Sequence, residues 1–293
     1  MQAIGFYVVL PFIYLISLLP FPFLYLLSDL LFVILYHIIG YRRKVVIQNL
    51  KNAFPEMPEK EIVDLQKRFY IYLCDLTLET FKTLTISEKK MVKHCSMDEG
   101  SLQLIKQYYD DKKSIILVLG HLGNWEWGGN AFSLQCKQQL YVIYHALHNT
   151  YFNTLIIKMR TRFGTKLIEM KNTFKDMLSL KETISATAFI ADQTPSPSNA
   201  YWTTFLNQQT PVFWGTERIS KKLNYPIVYI NVKRVKRGYY NVSAELLCND
   251  PLELKEGEIT EMHTKKLEEN ILKQPETWLW SHRRWKHKKI LNA

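Results

Sequence analysis

Three common catalytic signatures are missing from this chain of 293 residues. No serine has a glycine two positions away on both sides, no two glycines are separated by a single residue, and no His-Glu dipeptide opens a zinc-binding helix. The nucleophile elbow of hydrolases, the dinucleotide-binding turn and the zincin helix are thereby excluded. Cysteine is scarce too: Cys74, Cys95, Cys136 and Cys248 form no Cys-x-x-Cys pair. Neither a zinc ribbon nor a disulfide-dense fold is indicated, and a reducing compartment fits. Neither a metal nor a cofactor is expected. Acidic residues are few, 27 against 38 Lys and Arg, which leaves a formal charge of +11. That surplus predicts attraction to an anionic partner: nucleic acid, a membrane surface or an acidic protein. With 47% apolar and 13% aromatic residues, wholesale disorder is excluded. The length suits two average domains, or one large α/β domain with an appendage.

Charge is nearly absent from the start of the chain. Between Ala3 and Ile39 the one formal charge is Asp29, and Arg42-Arg43-Lys44 follows directly. This reads as a membrane segment. Pro11, Pro20 and Pro22 interrupt it, leaving from Phe21 to Ile39 a helix of roughly 28 Å for a hydrocarbon core of about 30 Å. The stretch before Pro20 is shorter and kinked, and either completes a re-entrant hairpin or lies in the interface. A cleaved signal peptide is disfavoured, because there is no basic start and no small-residue cleavage site before Arg42. Residues 1–40 are therefore expected to be a retained anchor, with residues 41–293 on the cytoplasmic side of the basic cluster.

Beyond the anchor, helical apolar spacing runs from Asn49 to Leu84 with a break at Phe54-Pro55-Glu56. Short β-branched runs then appear at Ser114 to Leu119, Leu140 to Tyr144, Thr187 to Ala191 and Pro226 to Val232. Helical segments alternate with them, at Phe152 to Phe163, Thr173 to Leu180 and Glu217 to Lys222. The alternation predicts an α/β fold with a largely parallel central sheet and flanking helices.

Gly120-His121-Leu122-Gly123-Asn124-Trp125-Glu126 follows the first of these strands, at the carboxyl end where ligand chemistry gathers in such sheets. On one regular helix, His121 and Glu126 would stand about 140° apart and could not pair. They meet if His121 lies in the turn, Gly123 bends the chain, and Asn124 caps a helix with Glu126 in its first turn. Glu126 would then orient the imidazole and stabilise its protonated form, leaving the neutral ring as a general base. An ordinary strand-end histidine beside a first-turn glutamate is the plainer alternative.

These residues resemble the lipid A biosynthesis acyltransferases, the late lauroyl and myristoyl transferases of the lysophospholipid acyltransferase superfamily. His121 and Glu126 match the family's His-x4-Glu motif. The similarity continues in Arg42-Arg43-Lys44, Asn49-Leu50, Phe54-Pro55-Glu56, Arg160-Thr161-Arg162, Ala191-Asp192-Gln193 and Trp280-Ser281-His282-Arg283-Arg284-Trp285-Lys286. The resemblance implies a glycerolipid-acyltransferase-like fold behind the anchor, with residues 41–293 as the acyltransferase domain. It implies transfer of a fatty acyl chain from an acyl-acyl-carrier-protein thioester to a hydroxyl of a lipid A precursor, with no covalent enzyme intermediate. The setting that the resemblance implies is the cytoplasmic face of a bacterial inner membrane. His121, Glu126, Arg160 and Asp192 are the implied catalytic residues, and Asn124, Arg162, Gln193, His282 and Arg284 the substrate-binding ones. Arg160 and Arg162 point about 200° apart on a helix, so one faces the site and the other meets solvent or phosphate. Asp192 alternatively caps its own loop.

The chain departs from the family pattern where relatives often have Phe-Phe-Gly; here Phe205-Leu206-Asn207 stands, and asparagine's tolerance of the left-handed region lets a similar turn survive. Near the carboxyl end Arg283, Arg284, Lys286, Lys288 and Lys289, beside Trp278, Trp280 and Trp285, suit lipid phosphates or an acidic carrier protein. A solvated basic tail with core tryptophans is the alternative, and the anchor argues against nucleic acid as the partner. Two other functions stay open: acylation of another lysophospholipid, glycolipid or aminolipid, and a non-catalytic membrane adaptor of the same fold.

Overall fold

The apolar start of the chain forms two helices laid against the rest of the molecule. In the computed structural model, which describes residues 2–287, α1 (Gln2–Leu18) and α2 (Phe21–Phe32) are separated at Pro20. Pro11 lies inside α1 without ending it, so only one of the expected interruptions is a break. A π-helical stretch, Val33–Ile39, continues α2 and stops at Gly40, which takes the left-handed backbone with φ 65°. From Phe21 to Ile39 the chain is long and apolar enough to cross a bilayer. One stripe of each helix nevertheless faces protein: Phe6, Ile13 and Ser17 in α1, and Leu24, Ser28 and Tyr36 further on, are buried at helical spacing. The opposite faces expose Ile4, Val8, Phe12, Phe23, Leu26 and Leu30.

Helices α3 (Arg43–Ala53) and α4 (Glu59–Lys82) follow, divided at Phe54-Pro55 as the sequence predicts. Then come α5 (Glu88–His94), β1 (Cys95–Met97), α6 (Glu99–Asp110), β2 (Ile115–Leu119), α7 (Trp125–Gln135), β3 (Gln139–Tyr144) and α8 (Thr150–Thr161). The remainder is β4 (Lys166–Glu169), α9 (Thr173–Ser179), β5 (Ser185–Ile190), β6 (Ala200–Phe205), β7 (Gln208–Phe213), α10 (Gly215–Leu223), β8 (Ile227–Lys236), β9 (Tyr239–Cys248) and α11 (Glu258–Lys273).

Seven strands form one sheet in the order β1-β9-β8-β2-β5-β3-β4. All neighbours are parallel except the β8–β9 hairpin, so the expected largely parallel α/β sheet is present. All five residues of β2 are buried, as a strand covered on both faces requires. Hairpin β6–β7 stands apart from this sheet. Its two-residue turn puts Leu206 at φ 49° and Asn207 at φ 62°, the left-handed pair that hairpin twist favours. A turn thus survives without the glycine, with the Leu206 side chain buried.

Register places the site. Leu119 pairs with Ile190 across β2 and β5, so the residues two beyond each strand end, His121 and Asp192, emerge side by side. Gly123, at φ 59°, carries the chain from this turn into α7; a Cβ there would fall 1.7 Å from the Val232 carbonyl oxygen. The carboxyl-terminal segment closes over the same loop: Gly123 N–H donates to Thr277 O at 3.0 Å, and Leu279 N–H donates to His121 O at 3.1 Å.

Candidate active site

His121 is held by a carboxylate from the neighbouring strand end. Asp192 Oδ2 accepts from the His121 backbone N–H at 2.7 Å, and Asp192 Oδ1 lies 2.6 Å from the ring Nδ1. Trp278 Nε1 donates to Asp192 Oδ2 at 2.8 Å, which completes a cradle around the carboxylate. Burial would raise the Asp192 pKa, but the His121 ring and these hydrogen bonds outweigh it and bring the group down to about 2. An ionised carboxylate only accepts, so Nδ1 carries a proton, and in the neutral form of the ring Nε2 is the nitrogen with the free lone pair. Gln193 Nε2 sits 3.3 Å from that Nε2, and the Trp125 ring stands edge-on to the imidazole, centroids 4.9 Å apart.

Glu126 is in the first turn of α7 and Asn124 caps that helix, as expected: its Oδ1 accepts from Trp127 N–H at 3.0 Å. The expected pairing of Glu126 with His121 does not occur. Glu126 is instead gripped by Arg160, whose Nε donates to Oε2 at 2.9 Å and whose Nη2 donates to Oε1 at 2.5 Å. This is the two-pronged geometry that a planar guanidinium and a carboxylate favour. Burial pushes the Glu126 carboxyl up, and the guanidinium more than reverses it, holding the group below the ordinary carboxylate range. His121, Trp125, Glu126, Arg160 and Gln193 line one cleft of about 450 Å³.

The other expected binding residues divide. Asn124 is fully buried, and its Nδ2 donates to Glu79 Oε2 at 2.8 Å, so it builds the loop and does not face the cleft. Arg162 turns away from Arg160, its Nη1 donating to the Thr83 carbonyl. His282 accepts at Nε2 from Thr194 N–H at 3.3 Å, and burial pushes its ring down to about 4, so it is neutral near pH 7. Arg284 is 1% exposed, inside the molecule behind Asp192, and burial pushes it down to about 10. Trp278 and Trp280 are core residues as well. The supposed basic tail therefore loses Arg284 and two tryptophans to the interior, while Lys288 and Lys289 lie outside the described residues. For Trp278 and Trp280 the alternative reading, core tryptophans, is the one that holds; the Nε1 donor role of Trp278 toward Asp192 has no signal in the local sequence. Among the described residues no group of three His, Cys, Asp or Glu side chains is placed to hold a metal ion.

Over residues 1–287 the chain matches the family described as bacterial lipid A biosynthesis acyltransferase. It belongs to that family. It is also 23% identical, over 248 residues, to the lipid A biosynthesis lauroyltransferase of Escherichia coli (strain K12), an alignment covering 84% of this chain and 79% of that protein. The chain is thus an acyltransferase, and the cleft lined by His121 opens at the carboxyl ends of β2 and β5.

Proposed function

We propose that the protein is a membrane-bound O-acyltransferase that moves a fatty acyl chain from an acyl-acyl-carrier-protein thioester to a hydroxyl of a lipid A precursor. The observation that carries this reading is the His121 ring, fixed through Nδ1 by Asp192, with Nε2 turned to a cleft. A lipid alcohol placed at Nε2 gives up its proton to the imidazole as its oxygen attacks the thioester carbonyl carbon. The tetrahedral oxyanion is stabilised by Arg160, whose Nε and Nη2 are committed to Glu126 and whose Nη1 is left for substrate. Collapse breaks the carbon–sulfur bond, and the proton on Nε2 passes to the departing thiolate. The products are an ester and the free carrier thiol, with no covalent enzyme intermediate. Glu126 acts on Arg160, and Asp192 takes the orienting role that spacing alone assigns to Glu126.

Residues 41–293 form the catalytic domain of this reading and residues 1–40 its anchor, on the cytoplasmic face of the inner membrane. The acidic carrier suits a chain of charge +11. Labelled acyl transfer from carrier protein to purified glycolipid tests the proposal. His121→Ala is expected to lose on the order of 10²- to 10⁴-fold in rate; equal rates in both proteins would remove the proposed base. A panel of lysophospholipid, glycolipid and aminolipid acceptors reads out the acceptor class.

A further inference from the structure

A second cleft, of about 530 Å³, lies on the side of the apolar helices, with Gln193 between it and the same histidine. Gln193 lines both clefts, and its amide touches His121 Nε2. Leu31 and Leu35 of the anchor form one wall, Thr77 of α4 another, and His282 and Arg42 complete it. Two substrates must meet at one base in acyl transfer. A single cleft of about 450 Å³ is in the range of one drug-sized ligand, too little for a carrier arm with its acyl chain and a multiply acylated sugar together.

The chemistry of the second lining is that of an anionic amphiphile. Its apolar wall belongs to the same helix whose other face is exposed hydrocarbon, so a lipid enters sideways without leaving the leaflet. At its rim Arg42 is exposed and makes no ion pair among the described residues. Its backbone is held at φ 51°, where arginine is rarely found, and its Nη1 donates to Ser281 O at 3.0 Å. One edge of the guanidinium is thereby fixed to the carboxyl-terminal segment, and Arg43 and Lys44 follow in the chain. His282 is neutral there and adds no competing charge.

Resting on the reading above, we propose that this second cleft is the acceptor site and takes a phosphorylated glycolipid. The phosphate sits at Arg42, an acyl chain runs along Leu31 and Leu35, and the reacting hydroxyl passes Gln193 to His121. The carrier thioester occupies the other cleft, beside Arg160.

Steady-state kinetics on the detergent-solubilised full chain separates the two clefts. Arg42→Gln is expected to raise the acceptor KM about ten- to hundredfold, the scale of a lost charged hydrogen bond, while the carrier KM and kcat stay put. Arg42→Lys should recover part of the loss. Thr77→Trp, which fills the groove without touching Arg42, should raise the acceptor KM alone. An acceptor lacking its phosphate should bring wild type to the Arg42→Gln value and leave that variant unchanged. Inorganic phosphate should compete only weakly, since it lacks the chain; strong competition would mean a free-anion site and overturn the acceptor assignment. An unchanged acceptor KM in both Arg42→Gln and Thr77→Trp, or a rise in the carrier KM instead, would also overturn it. Absence of transfer by wild type would instead sink the acyltransferase reading itself.

Discussion

The base role proposed for His121 rests on one carboxylate, 71 positions later in the chain, that accepts from its backbone N–H and pairs with its ring Nδ1. Asp192→Asn keeps the shape and turns the acceptor into a group that also donates, so Nδ1–H is no longer enforced. Turnover is expected to fall on the order of 10²- to 10⁴-fold with little change in acceptor KM, measured by the acyl-transfer assay. Glu126 and Arg160 are coupled differently. Removing either leaves a part-buried charge without its partner, so Glu126→Gln should destabilise the fold by about 1–3 kcal/mol. The double variant Glu126→Gln/Arg160→Met should cost less than the two single changes added, which a denaturant double-mutant cycle reads directly. The His-x4-Glu spacing reveals that both side chains belong to one loop and helix start. Which acid faces the imidazole is hidden from it, because Asp192 arrives through the β2–β5 pairing, a long-range register that no local pattern encodes.

At the scale of elements, β2, β3, β5 and the start of β8 are legible as β-branched runs because no residue in them is exposed on either face. Strand β9 and hairpin β6–β7 are not, since residues exposed on one side dilute the apolar signal and the turn lacks glycine. The loop into α7 depends on Gly123 twice, for its backbone angle and for its closeness to Val232. Gly123→Ala is expected to abolish activity and lower the melting temperature even though no catalytic side chain changes, measured by calorimetry alongside the assay. On α11, His263 is enclosed, and burial pushes it down to about 4. Its folded pKa lies below that of an unfolded histidine, about 6.5, so the unfolded chain binds more protons between those values. Stability should therefore fall as pH drops from about 6.5 toward 4, by up to ~1.4 kcal/mol per unit from this group. His263→Gln should flatten that slope in urea titrations.

For the molecule as a whole, the apolar amino terminus is part of the fold. Asp29, about midway along the Phe21 to Ile39 stretch, pairs at 2.6 Å with Arg237 in the turn between β8 and β9. Arg237 also meets buried Asp75 of α4 at 2.7 Å, and Arg234 meets the same carboxylate at 2.6 Å. If this helix crossed a bilayer, Asp29, Arg237 and a hairpin tip would sit at its centre, where charge and irregular backbone facing lipid are costly. An in-plane seat, with the exposed apolar faces of α1 and α2 in one leaflet, avoids that cost. Cysteines introduced at Leu18 and Tyr41 should accordingly react with an impermeant maleimide from the same side of oriented vesicles; labelling from opposite sides would show a span. Asp75→Ala, which leaves two arginines around an empty centre, should cost about 3–5 kcal/mol by denaturant unfolding and loosen the anchor.

Hydrophobic patterning by itself determined the apolar amino terminus, the α/β alternation and the turn that carries His121, because each is local: a missing charge, a buried strand, a glycine before a cap. Only the tertiary structure decided which acid faces the histidine, that Arg284, Trp278 and Trp280 are interior, and that the apolar amino-terminal helices lie along the rest of the molecule. Those outcomes depend on strand register and on ion pairs such as Asp29 with Arg237, whose partners stand 208 positions apart and meet only once the sheet has formed.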